Sequence, residues 1–106
     1  MIETTQINDI VVRIAKSFNP EKIILFGSYA NGIPNKESDL DLLVIQETDL
    51  PRHKRGLDIR LSLIGTKLPM DILVYTSAEF EIEKNERYSF LHSAMKNSKT
   101  LYERPV

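Results

Sequence analysis

Between Thr5 and Phe18, apolar side chains recur at Ile7, Ile10, Val11, Ile14, Ala15 and Phe18. Spacing of three and four residues places them all on one side of an α-helix, which Asn19-Pro20 closes. The next apolar run, Lys22-Ile23-Ile24-Leu25-Phe26, is continuous and stopped by Gly27, which predicts a strand buried on both faces. Ser28 to Glu37 contains Gly32, Pro34 and Asn35 and reads as a short helical turn leading into a loop. Asp39 to Ile45 forms a second strand. A helix can start at Asp49-Leu50-Pro51, with Asp49 as its cap and Leu57, Leu61, Ile64 and Leu68 as its buried stripe, although Gly56 weakens it. Pro69 ends that helix, and Met70 to Tyr75 makes a third strand. Thr76-Ser77-Ala78-Glu79 has capping-box spacing and opens another helix. Phe90, Leu91, Ala94 and Met95 mark a last one, ending near Asn97, and Leu101-Tyr102 adds a short extended piece. This order of elements predicts an α+β fold, a small mixed β-sheet packed against helices.

Composition narrows the class. At 106 residues, 42% hydrophobic and 27% charged, the chain suits one globular domain over residues 1–106, with little room for a separate substrate domain. The absence of cysteine removes disulfides, thiolate zinc sites and cysteine nucleophiles. Acidic and polar residues stand where a signal peptide has a basic segment and an apolar run, and no apolar stretch approaches the ~20 residues of a membrane span. The expected location is therefore the cytoplasm. A net charge of −1 provides no general attraction to nucleic acid, so no dedicated nucleic-acid surface is expected. Charge is nevertheless clustered: Arg52, His53, Lys54, Arg55 and Arg60 are basic, and Glu79, Glu81, Glu83 and Glu86 acidic. These are either two solvated helix faces, or the basic group meets a triphosphate tail or an acidic partner.

Three features carry chemistry. Asp39 and Asp41 project from the same face of the second strand, roughly 6.5 to 7 Å apart, and repel each other unless a cation lies between them. Oxygen ligands alone favour magnesium or manganese over zinc. Gly27-Ser28, between a strand and a helical turn, offers free N–H groups to a phosphate, although Gly-Ser is also common turn chemistry. Asp71 is an isolated charge near the start of the third strand; it joins the other two only if that strand lies beside the second. Together these residues make a site for metal-assisted phosphoryl chemistry, in which catalysis is chiefly positioning and charge neutralisation.

The segment Gly27-Ser28-Tyr29-Ala30-Asn31-Gly32 through Ser38-Asp39-Leu40-Asp41-Leu42 resembles the signature of the DNA polymerase beta-like nucleotidyltransferases. Pro69 to Tyr75 is similar to that family's third-carboxylate strand. The chain's length and its closing Leu101-Tyr102-Glu103 resemble the minimal nucleotidyltransferases, or MNT proteins. The resemblance implies that Asp39 and Asp41 hold two magnesium ions, and that Asp71 binds the catalytic one and orients or deprotonates the acceptor hydroxyl. It also implies that Gly27 and Ser28, with Ser38 in the same motif, hold the nucleotide. The implied substrate is ATP, and the implied partner a HEPN-domain toxin whose tyrosine receives AMP, so that the chain is an antitoxin. A non-catalytic antitoxin that acts by occlusion is the alternative. Asn31 stands where relatives commonly carry arginine.

Overall fold

The computed structural model describes residues Met1–Val106. The first helix forms as α1, Thr4–Phe18, with Ile7, Ile10, Val11 and Ile14 buried along one side. Glu3 and Gln6 cap its first turn reciprocally, and Asn19 ends it in the left-handed region at φ 48°. The next elements follow the predicted order: β1 at Lys22–Phe26, a single helical turn α2 at Ser28–Asn31, and β2 at Leu40–Ile45. After α3 at Leu57–Ser62 come β3 at Met70–Tyr75, α4 at Ser77–Glu83, α5 at Phe90–Ala94 and β4 at Lys99–Glu103. The capping box at Thr76 and Glu79 is present, with Glu79 N–H donating to Thr76 Oγ1 at 3.2 Å and Thr76 N–H to Glu79 Oε1 at 2.9 Å.

All four strands join one mixed sheet in the order β3-β2-β1-β4. β1 is antiparallel to β2 and β4, whereas β2 and β3 run parallel, joined by the crossover that carries α3. Helices cover both faces. On one face Leu25, Leu42 and Val44 meet Ile10 and Ile14 of α1 and Ile59 of α3. On the other, Phe26, Leu43, Ile45 and Tyr75 meet Phe80 of α4 and Leu91 of α5. The central strands are thus buried on both sides, which is why their sequences are continuous apolar runs rather than alternating ones.

The long helix expected from Asp49 to Leu68 does not form. A 3₁₀ turn at Arg52–Lys54, α3, and a second 3₁₀ turn at Ile64–Thr66 replace it. Gly56 lies between the first two in the left-handed region, at φ 82°, and interrupts the helix. Asp49 caps no helix; Thr48 Oγ1 instead accepts from Leu50 N–H at 3.1 Å. Burial is rotated as well. Ile59 and Leu63 enter the core, while Leu57, Leu61 and Ile64 are 61%, 58% and 66% exposed.

Two members of each charge cluster turn out to be partners. Arg55 makes a two-pronged bond to Glu79, with Nη1 2.6 Å from Oε1 and Nη2 3.1 Å from Oε2. Arg52 lies 2.7 Å from Glu83 Oε2, and its guanidinium sits 4.4 Å above the Tyr75 ring. These arginines are accordingly neither a free solvated face nor available to a triphosphate. Arginines also blunt the open edge of β3, whose outward carbonyls would otherwise invite pairing. Arg60 Nη2 donates to Ile72 O at 2.7 Å, and Arg55 Nη1 approaches Val74 O at 3.4 Å.

Candidate active site

Odd-numbered residues of β2 and β3 face α4 and α5, so Asp41 and Asp71 project on the same side as Leu43, Ile45 and Tyr75. The parallel register pairs Asp41 directly with Asp71. The adjacency on which Asp71 depended is therefore present. Asp39 lies one residue before β2 rather than inside it, because the ladder begins where Leu40 N–H donates to Pro69 O at 3.0 Å. It is exposed, as is Asp71, whereas Asp41 is half-buried.

Burial pushes the Asp41 carboxyl above its ordinary pKa, and the neighbouring charges of Asp71 and Asp39 add to the shift. A cation at this end of the sheet would relieve both causes. The donor chemistry fits a hard divalent ion: three carboxylates at one end of the sheet, with no cysteine in the chain and His92 engaged elsewhere through Nδ1 and Lys84 O at 2.9 Å. The side chains do not yet converge as a ligand set. Asp71 Oδ1 instead lies 3.7 Å from Arg60 Nη2. That contact is the main site feature missed from the sequence, where Arg60 belonged to a basic cluster with no assigned partner.

Gly27 adopts φ 75° and ψ −156°, a conformation open essentially to glycine alone. A Cβ there would overlap Asp41 Oδ2 and stand 3.1 Å from its Cγ. The glycine thus lets the β1–α2 turn lie directly against the carboxylate of the neighbouring strand. Ala30 and Asn31 N–H both donate to Gly27 O, at 3.0 and 3.1 Å, which leaves the amides of Ser28 and Tyr29 without a backbone partner at this turn. Ser38 does something different from Ser28. Its hydroxyl accepts from Asn35 N–H at 2.9 Å and closes the loop that leads to Asp39. Asn31 Oδ1 likewise accepts from Ile33 N–H at 3.0 Å, giving this residue a turn-forming role. Tyr29 points to the opposite side of the sheet, where its hydroxyl accepts from Ile2 N–H at 2.9 Å.

A mixed sheet that presents paired aspartates beside a Gly-Ser turn is the architecture of a nucleotidyl-transferring enzyme. The family model for polymerase beta nucleotidyltransferases matches residues 8–105, and the chain belongs to that family, as one of its minimal, MNT members. It is accordingly a nucleotidyltransferase. A Methanocaldococcus jannaschii protein named "putative protein adenylyltransferase" is 35% identical over 86 residues, 77% of this chain and 78% of its own. Among solved structures, a toxin-antitoxin with AMP-PNP shares the fold at TM-score 0.61 and 19% identity, with 91% of this chain and 73% of that one covered. A "putative nucleotidyltransferase" from Sulfolobus solfataricus aligns at TM-score 0.54 and 21% identity, covering 92% and 78%. No helix of the chain is long and apolar enough to cross a membrane.

Proposed function

We propose that residues 1–106 act as a single catalytic domain that transfers AMP from ATP to a hydroxyl group in the cytoplasm, with magnesium as the metal. We take the acceptor to be a tyrosine of a HEPN-domain toxin, which makes the chain an antitoxin. One observation carries the reading: the parallel register that sets Asp71 directly opposite Asp41, against the Gly27 turn. The relative named as a protein adenylyltransferase and the structural neighbour that is a toxin-antitoxin with AMP-PNP support the choice of nucleotide and partner.

In this mechanism the unpartnered amides of Ser28 and Tyr29, with the Ser28 hydroxyl, bind the β- and γ-phosphates, and the missing Cβ of Gly27 lets them approach Asp41. Asp39, Asp41 and Asp71 hold magnesium, which when bound neutralises charge on the phosphate oxygens. Asp71, the most exposed end of the pair, orients the acceptor hydroxyl and takes its proton. The acceptor oxygen forms a bond to the α-phosphorus, the bond from that phosphorus to the bridging oxygen breaks, and pyrophosphate leaves. Ser38 contributes by fixing the loop before Asp39.

Incubation with labelled ATP, magnesium and a co-expressed partner tests the reading. Label should appear on a partner tyrosine and vanish when Asp39→Asn is combined with Asp41→Asn. Transfer undiminished in that variant would overturn it. The occlusion alternative draws on the unconverged carboxylates and the Arg60–Asp71 contact. It predicts that the double variant still protects cells from the toxin.

A further inference from the structure

Beside the carboxylates, on the face they share, a cavity of about 300 Å³ opens between the end of β1, α2 and α5, lined by Phe26, Gly27, Asn31, Phe90, Ser93 and Asn97. Its position is set by the sheet. Phe26 is the cross-strand partner of Asp41, so the cavity floor lies next to the residue that would face the phosphates. Gly27 borders the cavity and also packs against the Asp41 carboxylate, which makes the two spaces continuous. Its volume is at the lower end of small-ligand sites, enough for one ring system rather than a second macromolecule.

Two wall residues, Phe90 and Asn97, expose side-chain surface to the cavity. Phe90 is 56% exposed although its ring edge meets Phe26 at 5.9 Å and 82°. The T-shaped contact holds the ring upright and leaves a face open, a platform on which a planar base can stack. Asn97 is exposed at the end of the 3₁₀ turn that follows α5, and its amide makes no hydrogen bond within the chain. A free amide offers one donor and one acceptor side by side, the pattern that pairs with the N6 and N7 edge of adenine. Guanine is read most often by arginine or lysine, and no cationic side chain lines this cavity.

We propose that this cavity is the nucleoside seat of the enzyme, with Phe90 stacking on the base and Asn97 selecting adenine over guanine. The proposal rests on the nucleotidyltransferase reading above and adds the subsite that would choose the nucleotide. Triphosphate and base are then held by different elements, the β1–α2 turn and the α5 end, and the α-phosphorus lies between them beside Asp41.

The test is direct binding of a non-hydrolysable ATP analogue, the matching GTP analogue and inorganic tripolyphosphate to the full chain in magnesium, by calorimetry. Wild type should favour the ATP analogue. Phe90→Ala should weaken both nucleotides by about 5-fold to 100-fold, the range for loss of one base stack. Asn97→Ala, an exposed position that should not disturb folding, should erase most of the ATP-over-GTP preference. Tripolyphosphate binding should be unchanged in both variants. If the variants bind the ATP analogue as wild type does, with the same preference, the nucleoside seat is elsewhere and the catalytic reading stands. If Phe90→Ala also loses tripolyphosphate, its fold is damaged and Asn97→Ala alone decides. If wild type binds neither nucleotide nor tripolyphosphate, both readings fall together.

Discussion

Replacing Gly27 with alanine tests the closest approach in the site. Two costs arise independently. The backbone at φ 75° and ψ −156° is a region that only glycine occupies freely, worth of order 1–3 kcal/mol against any other residue. The new Cβ would also overlap Asp41 Oδ2, and turning the carboxylate alone does not relieve this, because Asp41 Cγ and Cβ would stand only 3.1 and 3.3 Å away. Overpacking of that kind costs roughly 1–3 kcal/mol. The sum, about 2–6 kcal/mol, is a large part of the roughly 5–15 kcal/mol that a domain of this size has in total. At about 4–8 °C per kcal/mol, Tm should fall by roughly 10–50 °C. Thermal melts followed by circular dichroism measure this directly. Repeating the substitution in an Asp41→Ala background isolates the second cost, since removing Oδ2 and Cγ should reduce the penalty by about 1–3 kcal/mol while the backbone cost remains. A fall in Tm of less than about 3 °C, or a penalty undiminished in the Asp41→Ala background, would refute the packing of Gly27 against Asp41.

Asp41→Asn should abolish transfer yet stabilise the protein. Burial and the charges of Asp71 and Asp39 raise the folded-state pKa of Asp41, so its ionisation destabilises the fold above that pKa, and the effect is absent once the carboxyl is protonated in both states. In urea titrations the variant should gain of order 0.5–1 kcal/mol at pH 8, with the gain shrinking as pH falls towards ~4; a variant less stable than wild type at pH 8 contradicts this. Glu79 behaves in the opposite way, because the Arg55 guanidinium holds its carboxyl at about 2 against an ordinary 4.5. Its contribution is present above 4.5 and lost as pH falls towards 2, so Glu79→Gln should lose about 1–2 kcal/mol at pH 7 and match wild type near pH 2. That figure is discounted for a side chain 29% exposed. Arg60→Met should cost about 1 kcal/mol, chiefly from the Ile72 carbonyl it leaves uncovered, and should lower the magnesium needed for half-maximal nucleotide binding by up to ~5-fold, since Asp71 no longer answers to two cations. A rise in that magnesium concentration would show instead that Arg60 itself holds phosphate.

Elements with a strong local signal could be placed from the sequence to within a residue or so. Continuous apolar runs bounded by Gly27, Pro69 and Asp39 defined three strands, because a strand buried on both faces has no other pattern to show. Between Asp49 and Leu68 two helical stripes compete: Leu57-Leu61-Ile64 has the better spacing, and Ile59-Leu63 is the one buried. Local periodicity cannot choose between them, since the choice depends on how Gly56 turns the chain against β3, where a Cβ would stand 3.3 Å from Val74 Cγ2. The pairing of Arg52 and Arg55 with Glu79 and Glu83 was illegible for the same reason: partners 24 to 31 residues apart meet only after β3 is in place. Asp71 sits between these cases. Its residue type and position were visible, but its register against Asp41 belongs to the sheet.

Stability and chemistry pull against each other at one end of this sheet. Below the aspartates, Leu42, Leu43 and Val44 are fully buried, and nothing in their packing requires a charge nearby. Above them, three carboxylates gather at the end of a strand pair, where burial and its neighbours' charges disfavour ionisation of Asp41, and the one cation within 4 Å, Arg60, stands at 3.7 Å from Asp71. An exposed pair at that separation offsets less than about 1 kcal/mol, too little to neutralise the group. The electrostatic demand is therefore left for a ligand to meet, and under the proposed function a divalent ion bound with a triphosphate would meet it where the Gly27 turn lies against Asp41. Nucleotide and metal together should accordingly raise Tm more than the sum of their separate effects, and an additive result would show that the turn and the carboxylates bind independently.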